Sequence, residues 1–220
     1  MPSKKPSKSL SHWSVLSSPR AFFAGLKESS IAPALTWLAG GLFVWIFIGG
    51  LLSILLSTVT GVPLGKALGF IADVEPGLQS VQLYVWFLMK TFVMVYISAL
   101  AVSAIGYLLS SFLGGEGGFI DMVQIVSYSL TPCFIALAIP QPILFDTTLS
   151  PIALVVMEYY NYTVNLLQVA ALVWALRLAY VGVEEHEKMA RAKAFEFILV
   201  PVMLIVLVIV GLFVMKIIAG

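Results

Sequence analysis

Long apolar runs, broken at intervals by glycine, proline and short charged stretches, set the pattern of this chain. A helix needs about 20 apolar residues to cross the hydrocarbon of a bilayer. No charged residue occurs between Glu28 and Lys66, and residues 33–59 predict a first span, stopped by Gly61 and Pro63. A second is expected over about 84–112, with Lys90 near its start, and ends at Gly114-Gly115-Glu116-Gly117-Gly118. The third, 120–139, runs into Pro140 and Pro142, and the fourth, 152–179, contains Glu158. The fifth, 197–217, is almost entirely Val, Ile, Leu, Phe and Met. The pattern predicts an all-α polytopic membrane protein, a bundle of five transmembrane helices. The first run begins too late and is too long to be the apolar core of a signal peptide, which spans roughly 7–15 residues, so it is expected to be retained.

Polar positions inside the spans follow the helical period. In the third span Gln124, Ser127, Tyr128 and Thr131 fall on one face that ends at Pro132. The proline removes a backbone donor, so a kink near residue 128 is expected, and the freed group must find a partner in protein or trapped water. That face should look inward. In the first span Gly49, Ser53 and Ser57 recur every fourth residue, the small-residue spacing that lets helices approach closely. In the fourth, Glu158, Asn161, Asn165 and Gln168 fall within an arc of roughly 80°, with Tyr162 beside them. Facing lipid, these groups would cost several kcal/mol, so the stripe should face protein or water. Two readings follow. Either the stripe is hydrogen-bonding packing between helices, or it lines a polar cavity in which Glu158 holds a cation or proton. In the second case Tyr128 and Thr131 stand opposite, and Lys90 is a further partner for Glu158.

Outside the spans, residues 1–17 are rich in Ser and Lys and read as a disordered tail. Ser18 and Pro19 then make a good helix start. Phe22, Phe23 and Leu26 share a face, and Arg20 and Lys27 can reach lipid phosphates, so 18–28 predicts a short interfacial helix. Glu184–Lys188 and Glu187–Arg191 are acid-to-base pairs at helical spacing, so the fourth and fifth spans are expected to be joined by continuous helix. Orientation follows from Lys and Arg alone. Lys4, Lys5, Lys8, Arg20 and Lys27 precede the first span, and Arg177 stands at the end of the fourth with Lys188, Arg191 and Lys193 after it. Only Lys66 and Lys216 fall on the other side, so the N-terminus is expected to be cytoplasmic and the C-terminus extracytoplasmic.

Composition narrows the chemistry. The 220 residues are 60% hydrophobic and 10% charged, too few charges to cover a soluble domain of this size. A net charge of +1 argues against nucleic acid as a partner. The single cysteine, Cys133, excludes an intramolecular disulfide framework and a Cys-rich zinc site. Neither histidine falls in a span, and His186, without a second histidine nearby, reads as a polar face residue rather than a ligand. Glu158 is the only carboxylate well inside a span, whereas a paired-carboxylate hydrolase needs two. The glycine-rich stretch at 114–118 lacks the Gly-Lys-Ser/Thr ending of a phosphate loop and reads as an inter-span turn. No catalytic constellation, metal site or cofactor site is expected.

Three stretches, Ser18 to Leu26 with Ala32-Pro33, Tyr128 to Pro132, and Trp174 to Gly182 with His186 and Arg191 to Ala194, together resemble the Yip family, the Ypt/Rab-interacting membrane proteins with a five-span domain. Ser18 through Leu26, followed by Ala32-Pro33, is similar to the family's proline-and-phenylalanine entry segment. Tyr128-Ser129-Leu130-Thr131-Pro132 is similar to its Tyr-x-x-x-Pro element. Trp174 through Gly182, His186 and Arg191 to Ala194 are similar to its exit from the fourth span. The resemblance implies a five-helix domain over 18–219 with a cytoplasmic N-terminus. For eukaryotic members it implies vesicle traffic and contact with prenylated GTPases. This chain lacks their long N-terminal region and its Asp-Leu-Tyr-Gly-Pro element, so a GTPase partner is not carried over. The compact form is similar to archaeal and bacterial members. The function expected is a non-enzymatic membrane-organising or partner-binding scaffold, in contact with lipid, other membrane proteins or further copies of itself. The alternative is a small transporter or permeation pathway built on the cavity around Glu158.

Overall fold

A backbone that crosses hydrocarbon must satisfy its own N–H and C=O groups, and this chain does so by coiling. The computed structural model describes residues 12–26, 30–60, 78–139, 151–203 and 207, and no strand occurs among them. In chain order the helices are α1 (Ser14–Ser17), α2 (Pro19–Gly25), α3 (Ala32–Thr60), α4 (Leu78–Leu113), α5 (Phe119–Ser129), α6 (Thr131–Leu137) and α7 (Pro151–His186). Helix α8 follows over 191–203. Among the described residues four stretches are long and apolar enough to cross a membrane. They are Ala32–Gly49, Met89–Leu113, Phe119–Leu137 across α5 and α6, and Glu158–His186. These stand where the first four spans are expected from the sequence. The fifth, 197–217, is helical through residue 203, and most of the rest of it lies outside the described residues.

The α5–α6 pair is the spine of the bundle, packed by α3, α4 and α7. Met122, Val123, Ile125 and Tyr128 of α5 form one core with Phe22, Phe23, Leu178, Val181 and Phe197. Leu38, Leu42, Ala99 and Phe134 form a second. The outer faces of α4 and α7 carry large exposed apolar residues, among them Ile105, Leu108, Phe112, Leu166 and Val173, as lipid solvation demands. Close approach uses missing side chains. A Cβ on Gly41 would overlap the Phe134 ring, and one on Gly49 would stand 3.2 Å from the Ala138 carbonyl oxygen. The small-residue face of α3 is therefore a contact face at Gly49; the Ser53 and Ser57 side chains lie outside the described ones.

Pro132 divides the spine. Helix α5 ends at Ser129, Leu130 makes a turn, and α6 restarts at Thr131. Proline cannot donate to the carbonyl of Tyr128, and that carbonyl instead accepts the Thr131 hydroxyl at 2.7 Å. Thr131 Oγ1 in turn accepts the indole N–H of Trp37 at 2.8 Å. Gln124, Ser127, Tyr128 and Thr131 are all buried, so the polar face looks inward as the sequence predicts.

Three local expectations need correction. Residues 14–17 of the expected tail form a helical turn whose Val15 is fully buried. Phe22 and Phe23, expected at a lipid surface, are buried in protein instead, because α2 packs along α7 and turns both rings into the core. The link between α7 and α8 is not continuous helix: residues 187–190 break it, and Lys188 adopts a left-handed φ of 52°.

Candidate functional site at the charged end of the bundle

The break at 187–190 organises a site that the sequence does not announce. Glu187 is fully buried, with its carboxylate turned under the glycine-rich connection between α4 and α5. Helix α4 closes on Gly114 at φ 90°, a left-handed helix end that favours glycine, and Gly115 N–H returns to the Ser110 carbonyl at 2.9 Å. The chain then passes over Glu187. Ser110 Oγ–H donates to Glu187 Oε2 at 2.6 Å, and Gly117 N–H donates to the same oxygen at 3.1 Å. Glu116 N–H donates to the Glu187 backbone carbonyl at 3.2 Å. A Cβ on Gly117 would overlap the Glu187 carboxylate, and one on Gly115 would overlap Ser110 Oγ. The glycines leave room for a buried acid.

Burial pushes the Glu187 carboxyl above the ordinary carboxylate range. The hydrogen bonds from Ser110 and Gly117 pull against that shift, nearby Asp121 adds to it, and His186 opposes it. Asp121 works at the first turn of α5. Its Oδ2 accepts Gly118 N–H at 2.6 Å, and its Oδ1 stands 2.9 Å from His186 Nε2.

Around this buried core lies a ring of ion pairs joining distant segments. Arg20 of α2 reaches Glu184 at 2.8 Å and Glu185 at 3.4 Å. Arg191 of α8 meets the other oxygen of Glu184 at 2.7 Å, and Lys188 meets Glu116 at 3.1 Å. Arg20, Lys188 and Arg191 remain at least half exposed, so each presents charge outward while anchored. Arg20 therefore pairs with protein where the sequence suggests a lipid phosphate. Lys27 lies outside the described residues.

The residues singled out within the spans divide into two groups. Tyr128 and Thr131 belong to a buried aromatic cluster beneath the N-terminal segment. The Tyr128 hydroxyl stands 3.2 Å from His12 Nδ1, and its ring meets those of Phe22 and Trp37. Glu158, by contrast, is exposed on α7, where Tyr162 O–H donates to its Oε1 at 3.3 Å. Tyr162 and Asn165 are exposed as well, and Asn161 and Gln168 are half-buried. Cys133 of α6 lies level with Ala171, their Sγ and carbonyl oxygen 3.9 Å apart. At 1.5 Å per residue Glu158 is about 20 Å from that level along α7. The structure thus does not bring Tyr128 and Thr131 to Glu158, and no ion pair joins Glu158 to Lys90 among the described residues.

Sequence reading missed Glu187, Ser110, Asp121 and Glu184 as a cluster. The separate signals were present, a run of small residues at 114–118 and an acidic stretch at 184–187, but nothing in one dimension pairs positions seventy apart. Helical spacing assigned Glu184 to Lys188 and Glu187 to Arg191; the left-handed turn at Lys188 cancels both.

Spans, spine and sealed turn together define a multi-pass helical integral membrane protein. The chain matches the family model of the Yip1 domain over residues 13–214, and it belongs to that family. No match is found among curated proteins or among solved structures.

Proposed function

We propose that this chain is a non-enzymatic membrane scaffold that docks a polar partner on the charged end of its bundle. One observation carries the reading: α2, the 114–118 turn, the end of α7 and the start of α8 are tied into one frame by Arg20, Glu184, Arg191, Lys188 and Glu116. Exposed ion pairs add little stability, about 0–1 kcal/mol each. A frame that holds charges of both signs in fixed positions is suited to recognition, where complementary charge sets specificity and encounter rate. The Lys and Arg distribution supports a cytoplasmic position for this end. Membrane proteins or further copies are the second class of partner, served by the exposed Glu158–Tyr162 pair on α7, since polar groups in lipid seek hydrogen bonds across helices.

The permeation alternative has less support, because Glu158 stands apart from Tyr128 and Thr131 and makes no ion pair with Lys90 among the described residues. The test uses the full chain in nanodiscs with a photo-crosslinker at position 188. A defined cytosolic or membrane partner should be captured by the wild-type frame and lost on Arg191→Glu with folding intact. Failure to capture any partner, together with ion or solute flux through liposomes containing the protein, would reverse the choice.

A further inference from the structure

The opposite end of the bundle carries a cation that the proposed docking function does not use. From Ser110, in the charged end, to Lys90 helix α4 rises about 30 Å. That is the thickness of the hydrocarbon core, so with the charged end at one boundary Lys90 falls at the other. Lys90 is exposed, and no carboxylate pairs with it among the described residues. An ammonium at this depth extends toward the headgroups and an anion.

Lys90 also stands on the rim of a lateral cleft of about 520 Å³ between α4 and the α3–α6 wall. Trp45 shares the lining, where an aromatic ring suits the interface. Inward from Lys90 the cleft is walled by Met94, Ser98 and Val102 on one side and by Val126, Leu130 and Cys133 on the other. From Lys90 to Val102 is about 18 Å along the helix. One leaflet of hydrocarbon is about 15 Å deep, half the core. The cleft therefore begins at a positive charge at headgroup level and ends near the bilayer midplane, with a mostly apolar wall.

We propose that this cleft binds one acyl chain of an anionic phospholipid, with the lipid phosphate on Lys90. A bilayer supplies both parts of the ligand at the right depths, and the charge at the rim selects an anionic headgroup over a zwitterionic one. The site lies across the membrane from the docking surface and stands or falls separately from it.

The experiment loads the full-length protein from vesicles of equal phosphatidylglycerol and phosphatidylcholine and counts retained lipid by native mass spectrometry. Wild-type protein should retain phosphatidylglycerol with about fivefold enrichment, the weight of one cation at an anionic surface. Lys90→Gln should abolish the enrichment. Ser98→Trp, which fills the cleft from α4, should reduce retention of both lipids. Inorganic phosphate, an anion without a chain, should displace neither. Wild-type enrichment surviving in Lys90→Gln, undiminished lipid in Ser98→Trp, or displacement by phosphate would each overturn the proposal. Size-exclusion and thermal unfolding establish that the variants fold. Should Lys90→Gln fail to fold, Lys90→Met supplies the same measurement with an unbranched apolar side chain.

Discussion

Replacing Glu187 with alanine separates the role of the buried carboxylate from that of the turn above it. The truncation leaves the buried Ser110 hydroxyl and the half-buried Gly117 N–H without their acceptor. Each orphaned donor costs about 1–3 kcal/mol, so the variant should lose about 2–6 kcal/mol, less what is recovered by removing a desolvated acid. Glu187→Gln keeps an acceptor for both donors and should lose under about 1 kcal/mol near neutral pH. The two also differ in pH dependence. Because the folded carboxyl titrates above its unfolded value, the native state binds the extra proton, and stability falls as pH rises. Its contribution is complete below the ordinary carboxylate range and lost as pH passes the raised folded value. Wild-type protein should therefore lose thermal stability across that window, while Glu187→Gln should be flat through it. Gly117→Ala supplies the internal control. Its methyl group meets the Glu187 carboxylate, so overpacking should cost about 1–3 kcal/mol in the wild type and little in Glu187→Ala. Unfolding in detergent, followed by helical circular dichroism over a pH series, reads the wild type, the three single variants and the double variant. Equal stability of Glu187→Ala and the wild type, or additive losses in the Gly117→Ala, Glu187→Ala double variant, would refute this account of the turn.

Phe23→Ala should cost about 3–5 kcal/mol by thermal unfolding, since the ring is fully buried in the core; a lipid-facing ring would show almost no loss. Thr131→Val should destabilise by about 1–3 kcal/mol by leaving the Trp37 indole N–H without its acceptor, and Thr131→Ser should restore most of it. Arg20→Glu turns two ion pairs into repulsions and should hasten proteolysis within 12–26 while leaving the unfolding midpoint of the spans almost unchanged. Lys188→Cys in a Cys133→Ser background should react with an impermeant thiol reagent from the cytoplasmic side only; labelling from the outer side would invert the proposed orientation.

What could be read from the sequence was what repeats or what chemistry forces locally. Long apolar runs with few charges marked the first four spans, and the missing N–H of Pro132 marked the break in the spine. The inward turn of Gln124 and Ser127 followed from the cost of polar groups in lipid. Segments whose partners lie far along the chain were read less well. Phe22 and Phe23 on one face satisfy a lipid surface and a protein groove equally, and only the neighbouring α7 decides between them. Arg20 is equally suited to a phosphate or a carboxylate, and Glu184 is 164 residues away. At Glu187 a single left-handed residue, Lys188, reassigned every helical pairing around it, and neighbouring sequence gave no sign of that turn.

The pairing of α2 with α7 also imposes an order on assembly. Chains are made at about 5–20 residues per second, so Glu184 follows Arg20 by roughly 8–30 s. Throughout that interval α2 has left the ribosome and the groove it fills does not yet exist. Phe22 and Phe23 then lack the groove that buries them and Arg20 lacks its carboxylates, needs that a bilayer surface and its phosphates are suited to meet. The features that make this segment look like an interfacial helix thus describe its situation during synthesis, and its place in the core is taken up when the fourth long helix arrives.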